Sequence, residues 1–298
     1  MKIKETLVKG IREVLYNSKL VILFWGTNAA LAIILSLPVY YLLIDNLSRS
    51  LISSNLTGGF DYIWFIQFKN LYEKNIGEIP YMIYSIVGVY ILIQTFYQGG
   101  LITIFNNPKK NHIVDFFYGS VKYWYRFAKI LIITLIFFTG VFYLTDWLGD
   151  LLNSMLQNSE RELLDFILRI IRYMIYLFFI GIITIISDYA KVATAVKDSS
   201  KILKEILHSL KFVQKNFYKL FFVFLIVAAF GASGAVIYNL LGMWIPRTPY
   251  YFLILSFILQ QLLIIFRLLI RMLFYSTEVL LYKDLSAAVV PVDPNQVN

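Results

Sequence analysis

The sequence predicts an all-α, polytopic helical membrane protein with about six transmembrane helices, and three observations carry that prediction. Hydrophobic residues make up 59% of the 298 residues and charged residues only 15%, with a mean hydropathy of +0.69. Soluble domains carry roughly 45–50% apolar and about 25% charged residues. The excess apolar residues are gathered into runs long enough to cross a hydrocarbon layer of about 30 Å, which takes roughly 20 helical residues. Finally, the basic residues sort between alternate connections, as topology requires.

Taken in order, the apolar runs place spans at 20–44, 80–105, 127–148, 166–187, 217–245 and 250–271, within a single transmembrane domain over 1–285. The first run follows Lys2, Lys4, Lys9, Arg12 and Lys19. It is too long for a signal peptide and no small-residue cleavage site follows, so it is expected to stay in the protein. Pro38 is expected as a kink or near a helix end. Segments 1–19, 106–126 and 188–216 with Lys283 hold 16 Lys and Arg, whereas 45–79, 149–165 and 246–249 hold 5. By the positive-inside rule the N-terminus, the second and fourth connections and the C-terminus face the cytoplasm.

Two of the basic segments have a helical period. Over 188–216, Val192, Val196, Ser199, Leu203, Ile206, Leu210 and Val213 recur every three or four residues, against Lys197, Lys201, Lys204, His208, Lys211 and Lys215. That pattern predicts one amphipathic helix with a basic face. Residues 2–18 repeat it, with Ile3, Leu7, Ile11 and Val14 against Lys2, Lys9 and Arg12. Two placements fit such helices: in the headgroup layer, or packed beneath the bundle.

The two segments also align. A shift of 199 residues pairs Lys2 with Lys201, Ile3 with Ile202, Val14 with Val213 and Asn17 with Asn216. Gly10 then meets Ser209 and Arg12 meets Lys211, and Phe116-Phe117-Tyr118-Gly119 supplies a looser third copy with Gly119 opposite Gly10. The expectation is three parallel two-helix repeats, each with a cytoplasmic interfacial helix.

The long connection 45–79 holds the aromatic stretch Asp61–Phe68, too short to span and suited to the outer interface. The triplet Asn55-Leu56-Thr57 in it matters only in a secretory pathway. Residues 286–298, with two prolines and no helical period, are expected to form a disordered cytoplasmic tail.

Chemistry is sparse. The chain has no cysteine, which excludes disulfides and thiolate sites. His112 and His208 stand apart, without the acidic or histidine neighbours of a metal motif. Nucleophile-elbow, P-loop and dinucleotide-binding patterns are missing. The expectation is therefore no enzyme, no cofactor and no metal. The net charge of +9 sorts by membrane side, which points to anionic lipid headgroups and not nucleic acid as partners; a membrane-protein partner or a homo-oligomer is also compatible.

Candidate anionic-lipid contacts are Arg267, Arg271, Lys197, Lys201, Lys204, Lys211 and Lys215. Arg267 and Arg271 share a helix face near the inner end of the last span, where they either snorkel to lipid phosphates or form a basic site inside the bundle with Glu278 nearby. Arg169 and Arg172 are expected to snorkel at the outer end of the fourth span. Gln94, Gln98, Asn239 and Gln260 are the candidates for a polar path, although such residues also bond between helices. Gly99-Gly100 and the run Ala228–Ala235 predict close helix packing.

The Gly99-Gly100-Leu101 turn, Phe116-Phe117…Gly119 and Asp188-Tyr189-Ala190-Lys191 resemble a set found in poorly characterised bacterial six-span membrane proteins. Among these is the membrane domain that lies beside glycerophosphodiester phosphodiesterases. The resemblance implies a bacterial inner-membrane location and carries over no functional residues. The leading functional expectation is a non-enzymatic membrane protein that engages anionic lipid or a membrane partner through its basic helices. The alternative is a transporter or channel subunit with a polar path through the bundle.

Overall fold

Long apolar runs without interior charge can only satisfy their backbone in lipid by helix formation, and the computed structural model is helical accordingly. It describes residues 2–47, 62–107, 112–156, 162–246 and 251–287. Nine helices occur among these: α1 (Ile3–Tyr16), α2 (Leu20–Leu47), α3 (Tyr62–Leu71), α4 (Glu73–Asn106), α5 (His112–Leu156), α6 (Glu162–Val196), α7 (Ile202–Lys215), α8 (Phe217–Trp244) and α9 (Tyr251–Ser286). Six of them, α2, α4, α5, α6, α8 and α9, are long and apolar enough to cross a membrane. The protein is a multi-pass membrane protein.

Helices α4, α5, α6 and α9 are longer than the apolar runs inside them. Pro38 and Pro80 are accommodated inside α2 and α4. The aromatic stretch of the long connection forms α3, where Trp64 stacks on Phe68 with ring centroids 4.9 Å apart. The Asn55 triplet and residues 288–298 of the tail lie outside the described residues.

One element departs from the sequence reading. The single amphipathic helix expected over 188–216 is two helices, because α6 ends at Val196 and α7 starts at Ile202. The break is at Asp198, whose φ of 50° lies in the left-handed region, costly for a residue with a Cβ. Its carboxylate is held by Lys122 at 2.7 Å and Arg126 at 2.8 Å from α5. Val192 is consequently a buried residue of α6, while Leu203 of α7 is 69% exposed. The predicted apolar stripe is cut between two axes.

The repeat is visible in the burial pattern. Helices α1 and α7 are each 14 residues long and are followed by 28-residue helices. Thr6, Gly10 and Val14 are buried in α1, and the positions 199 further on, Glu205, Ser209 and Val213, are buried in α7. In the third copy the short helix is fused to its span as the first part of α5, where Gly119 and Tyr123 are buried in the same phase.

The described chain falls into two compact units. One comprises Met1–Glu13, Thr95–Ile226 and Phe274–Asn298. Its core is built near the basic segments: Phe116, Tyr123, Phe127 and Ile130 of α5 are buried, as are Tyr189 and Val192 of α6, Phe212 of α7 and Tyr282 of α9. Further along α5, Ile132, Leu135, Ile136, Phe137 and Phe142 are exposed, which suits lipid, an environment as apolar as their side chains. The crossing of α4 and α5 depends on glycine. A Cβ on Gly99 would lie 2.9 Å from the Gly119 carbonyl oxygen, and one on Gly119 would overlap the Thr103 side chain.

The other unit comprises Val14–Gln94 and Val227–Leu273. Trp25 of α2 donates its indole N–H to Gln261 of α9 at 2.8 Å. Gly234 of the small-residue run in α8 leaves room for the Phe266 ring of α9, which a Cβ there would overlap. Both small-residue stretches thus act as contact surfaces between helices.

Candidate functional site

At the start of α7 several cations lie close together, and the structure separates those that are neutralised internally from those that are not. Lys122 and Arg126 are bound to Asp198, and these bonds hold the Asp198 carboxyl below its ordinary range, Lys122 contributing most. Lys197, named from sequence as a lipid contact, forms a 3.0 Å ion pair with Glu205. Glu205 is buried in α7, so that pair serves the packing of α7 on α6. Lys129, Lys201 and Lys204 form no ion pair among the described residues and are exposed. Lys129 lies over the Tyr125 ring, 4.3 Å from its centroid.

Helix α7 has three faces, not the two of a simple amphipathic helix. Glu205, Ser209, Phe212 and Val213 are buried against the protein, with Phe212 between Tyr189 and Tyr282 at 5.5 and 5.1 Å. Leu203 and Leu207 form a second, apolar face, 69% and 61% exposed. Lys204, Lys211 and Lys215 form the third and are exposed, with His208 beside them. Helix α1 repeats the arrangement: Thr6, Gly10 and Val14 are covered, Val8, Ile11 and Leu15 are exposed, and Lys9 and Arg12 are exposed. Neither of the two expected placements describes these helices fully, since each packs on protein and also presents bare apolar and basic faces.

Two recesses adjoin α7. An apolar cavity of about 190 Å³ lies between α5, α6 and α7, with Ile130, Ile133, Phe137, Ile183, Ile186 and Leu210 in its walls. The Thr134 and Ser187 hydroxyls, 2.8 Å apart, satisfy each other in that wall. A more open groove of about 680 Å³ is bounded by Lys129, Ile132, Ile133, Lys201, Leu203 and Lys204. Ile133 belongs to both.

The same unit buries ionisable groups. Lys191 and Asp188 of α6 form a 2.9 Å pair with both side chains nearly inaccessible. Glu278 of α9 is also buried, within electrostatic reach of both. Gln98 donates to the Tyr275 hydroxyl at 2.7 Å. Ser276 donates to the Glu13 carboxylate at 2.7 Å, which ties α1 to α9. Burial pushes the Glu13 carboxyl above its ordinary value, against the opposing effects of the Ser276 bond, Lys283 and Lys9.

The remaining sequence candidates are dispersed. Arg271 is half-buried and donates to Gln94 Oε1 at 2.6 Å, whereas Arg267, one turn away, is exposed. That contact unites a lipid candidate with a polar-path candidate. Asn239 and Gln260 are exposed. At the other end of α6, Arg169 bonds Asp165 at 2.9 Å and Arg172 lies 3.9 Å from Asp146, so both have protein counter-charges beyond the expected snorkelling. No group of three His, Asp or Glu side chains that could hold a metal occurs among the described residues.

Sequence reasoning passed over Lys129, Asp198 and Glu205. Lys129 did carry a signal: it is a lone cation just inside the N-terminal end of the span 127–148. Asp198 and Glu205 carried none, because their roles depend on residues of another helix or of the turn. Compared with protein-family models, with curated proteins and with solved structures, the chain matches none of them.

Proposed function

We propose that this protein is a non-enzymatic component of a bacterial cytoplasmic membrane that engages anionic lipid through its basic cytoplasmic helices. The observation that carries the reading is the three-faced design of α1 and α7. A helix whose buried face is already satisfied by protein has no packing reason to expose leucines beside lysines. The interface of a negatively charged leaflet rewards both, the apolar side chains by insertion and each lysine by about 1 kcal/mol. The orientation rests on the 16-to-5 division of basic residues. The bacterial location rests on the resemblance of the Gly99, Phe116 and Asp188 motifs to the six-span family described above.

The test uses the whole protein in lipid vesicles. Native mass spectrometry of protein released from mixed phosphatidylglycerol and phosphatidylcholine is expected to retain the anionic lipid preferentially, with the preference shrinking as salt screens over about 8–10 Å. Replacing Lys201, Lys204, Lys211 and Lys215 with glutamine is expected to reduce it strongly. Equal retention of the two lipids at low salt refutes the reading.

A second reading, a transporter or channel subunit, is favoured by the buried Lys191 and Glu278, with the part-buried Asp188 paired to Lys191. Ionisable groups buried in a membrane protein commonly mark ion or proton pathways. Cation or proton flux into proteoliposomes that disappears in Glu278→Gln separates this reading from the first.

A further inference from the structure

We infer that the recess between α5, α6 and α7 is a site for a single anionic phospholipid, its phosphate held by Lys129, Lys201 and Lys204 and an acyl chain lying in the adjoining apolar cavity. The inference deepens the lipid reading above and rests on it, since it assigns that reading one built site in place of a diffuse basic surface.

The first argument is the sorting of charge. Lys122, Arg126, Lys191 and Lys197 all have carboxylate partners. The three lysines bounding the groove have none among the described residues, and all three are exposed. They come from two helices and the turn before α7, so only the folded protein brings them to one opening. An unneutralised cluster of cations facing one recess is complementary to a phosphate.

Adjacency supplies the second argument. The basic groove and the apolar cavity share Ile133 as a wall residue. Along α7 the groove is bounded by Ile202, Leu203 and Lys204, and the cavity by Ile206, Leu207 and Leu210 one turn later. Along α5 the path runs from Lys129 to Phe137, a rise of about 12 Å. The polar end of this path lies where the predicted span begins and the apolar end lies within it. A soluble anion fills the first part and leaves the second empty; a phospholipid has the polarity of both in that order.

The test places a reporter in the cavity of the intact protein. Phe137→Trp is tolerable because Phe137 is exposed on one side. In phosphatidylcholine vesicles containing a minor fraction of brominated lipid, its added emission is expected to be quenched more by brominated phosphatidylglycerol than by brominated phosphatidylcholine. Changing Lys129, Lys201 and Lys204 together to glutamine is expected to weaken the preference about a hundredfold, at about fivefold per lysine. The same three changed to arginine keep it, and Lys211→Gln with Lys215→Gln leaves it nearly intact. These are surface positions, so retention of the far-ultraviolet spectrum checks that folding is unaffected.

If the reporter quenches equally with both lipids while the whole protein still retains phosphatidylglycerol, the site is refuted and the general reading stands. If whole-protein retention also shows no preference, the general reading fails with it. Loss of quenching by Lys211→Gln and Lys215→Gln in place of the groove triple likewise overturns the assignment.

Discussion

Replacing Gly99 by alanine adds one methyl group where α4 and α5 cross. The new Cβ meets the Gly119 carbonyl oxygen at 2.9 Å and the Ser120 Cα at 3.3 Å. Both are backbone atoms and cannot rotate aside, so the helices must separate. Overpacking of this kind costs about 1–3 kcal/mol. Alanine is the better helix former by about 1 kcal/mol, which leaves a net destabilisation of about 0–2 kcal/mol. Gly140 of α5 is the control, because a Cβ there meets nothing within 4 Å. Gly140→Ala is expected to stabilise by up to about 1 kcal/mol from the same propensity term. The assay is unfolding in mixed micelles with rising denaturing detergent, followed by circular dichroism, on both variants and the parent. The expected order is Gly140→Ala most stable, parent next, Gly99→Ala least. If Gly99→Ala gains as much as Gly140→Ala, the close crossing does not exist.

Burial raises the Glu13 carboxyl above its ordinary value of 4.5, so the folded state keeps a proton that the unfolded chain has already lost. Stability is therefore expected to fall as pH rises from about 4.5 through the raised value and to level off above it. Thermal melts of parent and Glu13→Gln across that range check this, the variant showing no such slope. For topology, reporter fusions after Lys204 are expected to read cytoplasmic and fusions after Ser159 external, from the division of basic residues; the opposite pair of readings refutes the orientation.

The sequence by itself determined the class, because apolar runs of spanning length have no other stable form in lipid. It also determined the repeat: the pairing of Gly10 with Ser209 and Val14 with Val213 reappears as matching buried positions in α1 and α7. Periodicity reports which residues share a face when the axis is continuous. It failed over 188–216 because it cannot detect a change of axis, and the break depends on Asp198 being held by Lys122 and Arg126, some 70 residues away in sequence. Only tertiary structure decided which cations are spent internally. Charge counting treats Lys197 and Lys201 alike, yet Lys197 meets buried Glu205 while Lys201 faces an open groove beside Lys129 and Lys204. Coulomb attraction acts over a few ångströms of space and not along the chain, so the partner of each charge became readable only once α5, α6 and α7 were packed together.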